Sequence, residues 1–219
     1  MSLKTSFIAV FFCIFFQQIY SQRNYEDYNF LGVQGGITFF DIKTDDLVTE
    51  QHSGFMAGFT TRGAFRNNFD LIYGISFQSA SIGVEGSSFS GADTQNIAYT
   101  IQGAQINFLG SYNIIVKHLS LEFGPVLNIN GKLKLDNEKF KDYVLTGYET
   151  LATEDIQDIS KFNVHLAGGL TAGLEHFRIY GQYQYGVTNM LGKLNDKDLE
   201  KKDFKGNSST ILVGAVIYF

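Results

Sequence analysis

Leu119-Ser120-Leu121-Glu122-Phe123-Gly124-Pro125-Val126-Leu127-Asn128-Ile129-Asn130-Gly131-Lys132-Leu133-Lys134-Leu135 is the stretch that decides the fold. Leu119, Leu121, Phe123, Leu127, Ile129, Leu133 and Leu135 fall on one parity. Ser120, Glu122, Asn128, Asn130, Lys132 and Lys134 fall on the other. Successive side chains of a strand point to opposite faces, so this is a strand with one apolar and one polar face. No helical recurrence at three and four residues competes with it.

The same period recurs on both sides. Upstream, Leu31, Val33, Ile37 and Phe39 alternate with Gln34 and Thr38, and Phe55, Ala57 and Phe59 with Thr60 and Arg62. Phe69, Leu71, Tyr73, Ile75 and Phe77 alternate with Asp70, Ser76 and Gln78. Downstream, Phe162, Val164, Leu166 and Leu170 oppose Asn163, His165 and Thr171. Phe177, Ile179, Tyr183 and Tyr185 oppose Arg178, Gln182 and Gln184, and a last strand runs to Phe219. The strand over residues 97–115 has apolar residues at odd positions (Ile97, Tyr99, Ile101) and then at even ones (Ile106, Phe108, Tyr112, Ile114). A face changes parity when one residue is inserted, which predicts a β-bulge near Gly103.

Eight strands result, and their connections alternate in length. Residues 66–68, 116–118 and 175–176 are short turns; 41–52, 79–96, 136–160 and 188–206 are long polar loops. That layout predicts an all-β, eight-stranded antiparallel up-and-down transmembrane β-barrel with short periplasmic turns and long extracellular loops. A soluble barrel would turn its apolar face inward and cover its outside with charge. Here the polar parity is Gly, Ser, Thr, Gln and Asn with few charges, which suits a crowded lumen, and outer-membrane lipid is the implied partner of the apolar face.

Composition agrees. The chain of 219 residues has 15% aromatics, 23 Gly, one Pro and a formal charge of -5. A mild acidic balance with no basic block excludes nucleic acid as a natural partner. Lys+Arg minus Asp+Glu is -3 for 41–52, -2 for 79–96, -5 for 136–160 and +1 for 188–206, so the long loops carry -9 against +3 for the rest of residues 22–219. An acidic rim attracts cations or basic partners and repels polyanions, but the plainer expectation is that these are solvated loops that keep the protein soluble at the surface.

Residues 1–21 read as a signal peptide. Lys4 precedes an apolar run from Phe7 to Phe16, too short to span a bilayer, and Ser21 precedes the expected cleavage before Gln22. Residues 22–219 are then the barrel domain. The sole Cys, Cys13, lies in the leader, so the exported chain has no disulfide or thiol chemistry.

Ser120-Leu121-Glu122-Phe123-Gly124-Pro125 and Tyr185-Gly186-Val187-Thr188-Asn189-Met190 resemble the PorT-like outer-membrane β-barrel family of the Bacteroidetes over about residues 28–219. Many relatives carry Glu-Ile-Pro in the fourth strand, where this chain has Gln102-Gly103-Ala104-Gln105-Ile106. The resemblance implies an outer-membrane barrel without a shared activity; some relatives assist a secretion system. Gly214, Ile217 and the terminal Phe219 resemble the signal read by the barrel assembly machinery, an implied partner during biogenesis.

Candidate site residues follow from the polar parity. Arg62, Asp70, Glu122 and Arg178 lie close to short turns and should meet in one half of the lumen, as a paired, hydrogen-bonded plug or as an ion path. His165 faces inward near the outer rim, and Asp158 or Ser160 would be its partners in a hydrolytic centre. Phe89, in the Gly86-Gly91 tip, is a candidate rim contact. Asp196, Asp198 and Glu200 alternate like part of a calcium loop, but lack its sixth-position Gly and are interleaved with Lys197, Lys201 and Lys202. No two of the four histidines lie within four residues, so no His pair presents a metal site, and no cofactor is implied. The function that fits is a non-enzymatic integral barrel with a filled lumen and a structural or interaction role in the envelope or as a secretion accessory. A narrow channel or small-solute-binding barrel, and an outer-membrane hydrolase, are the alternatives.

Overall fold

A computed structural model describes residues 28–88 and 94–219. Its strands are β1 (Asn29–Lys43), β2 (Thr49–Arg66), β3 (Phe69–Ser87), β4 (Thr94–Ile115), β5 (Leu119–Asn130), β6 (Lys134–Leu135), β7 (Val144–Leu145), β8 (Phe162–Gly173), β9 (Phe177–Gly186) and β10 (Asn207–Tyr218). The eight long strands form a ring, each antiparallel to its neighbour, and β10 pairs back onto β1. The two-residue strands β6 and β7 only extend β4 and β3 beyond the ring. The expected all-β, eight-stranded barrel is therefore the fold. Among the described residues no helix is long and apolar enough to cross a membrane; the crossing elements are strands.

Short turns sit where the sequence places them. Asn67 (φ 51°) and Lys117 (φ 64°) take the left-handed backbone that reverses β2 into β3 and β4 into β5. Closure depends on close approach at one seam, where Gly36 lies opposite Gly214. A Cβ on Gly214 would lie 2.5 Å from the Gly35 carbonyl and 2.6 Å from the Tyr180 hydroxyl, so the two strands need glycine here.

No bulge occurs near Gly103, contrary to the parity argument. The β4 register against β3 runs unbroken from Phe69↔Tyr112 to Ser87↔Thr94. The parity shift marks an exchange of chemistry between the faces instead. Near the short turns, Ile106, Phe108, Tyr112 and Ile114 point outward and are exposed, while Gln105, Asn107, Ser111 and Asn113 point inward and are buried. Further along the same strand Ile97, Tyr99 and Ile101 point inward and are buried. β3 does the same: Phe69, Tyr73, Ile75 and Phe77 are outside, then Ala80, Ile82 and Val84 are inside. One half of the barrel has an apolar exterior and a polar lumen, and the other half is built like a soluble barrel.

The strand quoted first shows the boundary as a break. β5 ends at Asn130, and beyond Gly131 and Lys132 the chain turns Leu133 inward, 1% exposed. From Leu119 to Ile129 there are ten steps of about 3.4 Å, which at the usual tilt of roughly 40° gives an apolar band about 26 Å tall, close to the ~25 Å of membrane barrels. Aromatic side chains mark its edges, Phe65, Phe69, Phe177 and Phe219 near the short turns and Phe39, Phe55, Phe77 and Phe162 near the loops.

The inversion predicts opposite tolerances along β4. Phe108→Arg, in the band, should cost roughly 2–4 kcal/mol in urea unfolding from lipid vesicles. Thr100→Arg, above it on the same outer face, should cost less than about 0.5 kcal/mol.

Candidate functional site

The lumen is closed by two layers. The first lies at the short-turn end and is centred on Arg62, a β2 residue 1% exposed. Its Nη1 donates to Asp70 Oδ2 at 2.9 Å and to Ser111 Oγ at 3.1 Å, and its Nη2 donates to Glu122 Oε1. Tyr28 Oη donates to the other Asp70 oxygen at 2.6 Å, and the Arg62 guanidinium lies 6.0 Å from the Tyr218 ring centre. Alternation delivers every member: Asp70, Ser111, Glu122 and Tyr218 each stand on the inward parity of a different strand. A guanidinium shared between two carboxylates is the arrangement in which buried charge is compensated.

Arg178 joins this layer differently from the expected four-charge plug. It is 2% exposed, and its Nη1 donates to Ser120 Oγ at 3.3 Å, which in turn donates to Asn113 Oδ1 at 2.9 Å. The same Ser120 oxygen lies 3.4 Å from Arg62 Nη1. The ion pairs join Arg62 to Asp70 and Glu122, and Arg178 is connected through a hydroxyl. Tyr28, Ser111, Ser120 and Tyr218 are members the sequence reading missed. The last three stand on the polar parity and were legible there; Tyr28 precedes β1 and was not.

Above this layer a cavity of about 30 Å³ is lined by Gln34, Thr60, Gln105, Asn107, Glu122 and Tyr180, among others. It has room for one or two water molecules and for no solute. Higher still, His165 faces inward as expected, but it is 4% exposed and covered from above rather than displayed at the rim. Its Nδ1 lies 3.0 Å from Asn128 Nδ2 and its Nε2 2.8 Å from Ser208 Oγ. Gln78 Nε2 donates to Asn128 Oδ1 at 3.1 Å, so Asn128 bridges Gln78 and His165. Nε2 faces the Ser208 hydroxyl, and no acid stands on the far side of the ring, where Asn128 occupies Nδ1. Ser160 instead donates to the Asn189 carbonyl at 3.0 Å, and neither it nor Asp158 bonds to His165.

The second layer is an apolar cap. The expectation of solvated loops fails here, because the loops carry a core. Leu145, Leu151, Ile156 and Ile159 from the third long loop, with Leu133 just before it, pack with Met190, Leu191, Leu194 and Phe204 from the fourth, and with Leu47 from the first. They rest on Phe40, Ile42, Ile82, Ile97 and Tyr99 of the barrel wall. Isolated leucines and isoleucines in polar loops show no period, which is why the cap escaped notice. Polar clasps hold it. Tyr99 Oη donates to the Thr153 carbonyl at 2.9 Å. The Glu200 carboxylate accepts both the Glu149 and Thr150 amides, and these hydrogen bonds hold it below the usual carboxylate range. Asn189 Oδ1 accepts the Leu191 and Gly206 amides.

Asp46 ties the first loop to the fourth. It accepts from Lys201 Nζ and, at 2.7 Å, from the Lys205 amide, while its carbonyl accepts from Tyr148 Oη at 2.8 Å. Burial pushes the Asp46 carboxyl up, but the hydrogen bonds and positive charges of Lys201 and Lys205 outweigh it and hold the group below its ordinary value.

The remaining candidates do not converge on a site. Asp196 pairs with Lys193 and Asp198 with Lys202, while Glu200 binds backbone amides, so the three carboxylates do not face one ion. No cluster among the described residues has the composition to hold a metal. Ile217 and Phe219 point outward, and Gly214 sits at the seam. Phe89 and residues 1–21, where a leader is expected, lie outside the described residues.

A family model described as outer membrane protein beta-barrel domain matches residues 16–192. No curated protein sequence matches the chain. Among solved structures, the attachment invasion locus protein Ail of Yersinia pestis, solved with the heparin analogue sucrose octasulfate, is similar at 16% identity and a TM-score of 0.46, covering 87% of this chain and 99% of that one. OprG of Pseudomonas aeruginosa is similar at 14% identity and a TM-score of 0.49, covering 89% and 97%. Neisserial surface protein A is similar at 8% and 0.48, covering 86% and 97%.

Two predictions follow from the layers. Arg62→Met leaves two carboxylates buried without their cation and should cost about 3–5 kcal/mol in denaturant unfolding, whereas Arg178→Met should change stability by under about 1 kcal/mol. The Asp46 clasp should be intact at neutral pH. Because its folded value is depressed, its contribution is present above the ordinary value near 3.8 and lost as pH falls through the lower folded value. Hydrogen-exchange protection of the Lys205 amide should drop only in that acid range, and Asp46→Asn should lower it at every pH.

Proposed function

Because the chain belongs to the outer membrane protein beta-barrel domain family, we propose that it is a non-enzymatic integral barrel of the bacterial outer membrane whose work is done by its surface. The observation that carries this reading is the double closure of the lumen, a charged plug near the short turns and an apolar cap at the loops. A closed lumen passes no solute, and what remains for function is the loop headpiece and the rims. A structural or interaction role in the envelope, or as an accessory of a secretion system, follows, the latter resting on the PorT-like motifs at residues 120–125 and 185–190.

The headpiece faces outside the cell and the short turns face the periplasm in this reading. Residues 1–21 are a signal peptide removed on export, and residues 22–219 are the mature barrel. Gly214, Ile217 and Phe219 present the terminal strand to the assembly machinery, with Gly214 also serving closure. The hydrolase alternative is disfavoured by the burial of His165 and Ser208 and the lack of an acid on His165, and the channel alternative by the 30 Å³ cavity.

Planar-bilayer recording tests the reading. The purified full-length barrel should add no reproducible conductance steps, and steps that persist across preparations would overturn the closed lumen. Co-purification from native membranes identifies the partner. Removing the cap by replacing residues 136–156 with a short turn should abolish that association while the barrel still shows heat-modifiable migration.

A further inference from the structure

A buried polar atom that finds no partner in its own chain marks a place where something else is held. Among the described residues, Thr60 Oγ1, Asn107 Oδ1 and Tyr180 Oη are such atoms, and all three residues line the cavity of about 30 Å³ above the plug. The other buried atoms in that condition belong to Thr38, Arg62, Asn130 and Arg178, none of which lines it. Thr60 is 2% and Asn107 6% exposed, so solvent outside the barrel does not satisfy them.

The ladder explains why these atoms share a space. Gly74 of β3 is paired with Thr60 on β2 and with Asn107 on β4. It projects no side chain into the gap between them, and a Cβ there would lie 3.0 Å from Asn107 Oδ1 and 2.5 Å from the Phe59 carbonyl. Tyr180 comes from β9, which stands across the ring from β3. Glu122, bonded to Arg62 Nη2 in the plug, lines the same cavity. Met56, Ile72, Leu109, Leu212 and Val216 enclose it with apolar surface.

We propose that this cavity is a binding site for one or two ordered water molecules, which bridge Thr60, Asn107 and Tyr180 across the lumen. Size and chemistry both select water. The volume exceeds the ~10–15 Å³ that one molecule needs. A carbonyl oxygen only accepts, while the two hydroxyls donate or accept, so the occupant must do both. Glu122 is the one charged residue among those lining the cavity, and its charge is already met by Arg62. A bare cation therefore finds no free counter-charge, and an anion would face a carboxylate. Through the water, β2 and β4 are tied to β9, with which neither shares a ladder. The site depends on the packing of the lumen and not on what the headpiece binds.

Removing a hydroxyl without changing shape tests this by the sign of the effect. In urea unfolding of the full-length barrel from lipid vesicles, Thr60→Val and Tyr180→Phe should each raise the unfolding constant roughly 2- to 10-fold, because a bridging hydrogen bond is lost. In a dry cavity each would lower it, since the change deletes a buried polar atom that bonds to nothing. A lower constant in either variant overturns the proposal. The double variant T60V/Y180F should fall short of the product of the single effects, because both hydroxyls depend on the same water; a full product overturns the bridge. Replacing sodium by choline at constant ionic strength should leave the wild-type midpoint unchanged, and a loss of stability in choline reassigns the site to a cation and overturns the water. A high-resolution crystal structure of the wild-type barrel gives a readout that does not depend on unfolding. It should show water within hydrogen-bond distance of Thr60 Oγ1, Asn107 Oδ1 and Tyr180 Oη, and a cavity without density overturns the proposal.

Discussion

Backbone polarity inside lipid is the constraint on which the rest of this structure depends. Each unpaired N–H or C=O in hydrocarbon costs several kcal/mol, so a sheet that enters a membrane must have no edge there. The seam between β1 and β10 removes the last edge, and Gly36 and Gly214 allow the strands to meet. An even number of strands then places both ends of the described barrel beside the short turns. A closed ring of eight leaves a lumen only wide enough for side chains. The charged plug is thus a packing solution as well as an electrostatic one: Arg62 reaches Asp70 and Glu122 because nothing wider than a side chain separates them.

Each long strand passes through two solvents, and its side chains answer to both. Next to lipid the outer face is apolar, and the lumen is stabilised by hydrogen bonds. Beyond the band the outer face meets water, and stability comes from an interior of Ile82, Ile97, Tyr99 and the cap leucines. The backbone register is indifferent to the change; on β3 and β4 it continues without a step.

This explains what could be read from the sequence. Strand number, antiparallel order, short turns and the inward parity of Arg62, Asp70, Glu122, Arg178 and His165 all follow from period two, which survives any change of solvent. The parity of apolar residues does not survive it, and at Gly103 that change mimicked an inserted residue. The cap was hidden for a different reason. Leu47, Leu151, Ile156 and Phe204 lie far apart in the chain, and only the closed ring beneath brings them together. The lumen geometry lay between these extremes. The charges were visible, but that Arg178 would reach a hydroxyl rather than a carboxylate depends on distances across the ring.

The cap also orders events in time. Its residues come from three loops, as far apart in the chain as Leu47 and Phe204. They also gather on one side of the ring, on top of walls that exist only once the strands have paired. The apolar interior of the headpiece therefore contributes nothing to threading the strands into the bilayer. Biogenesis separates into an insertion driven by the lipid-facing band and a later, water-side condensation of the loops, the second resembling the folding of a small soluble domain on a finished platform.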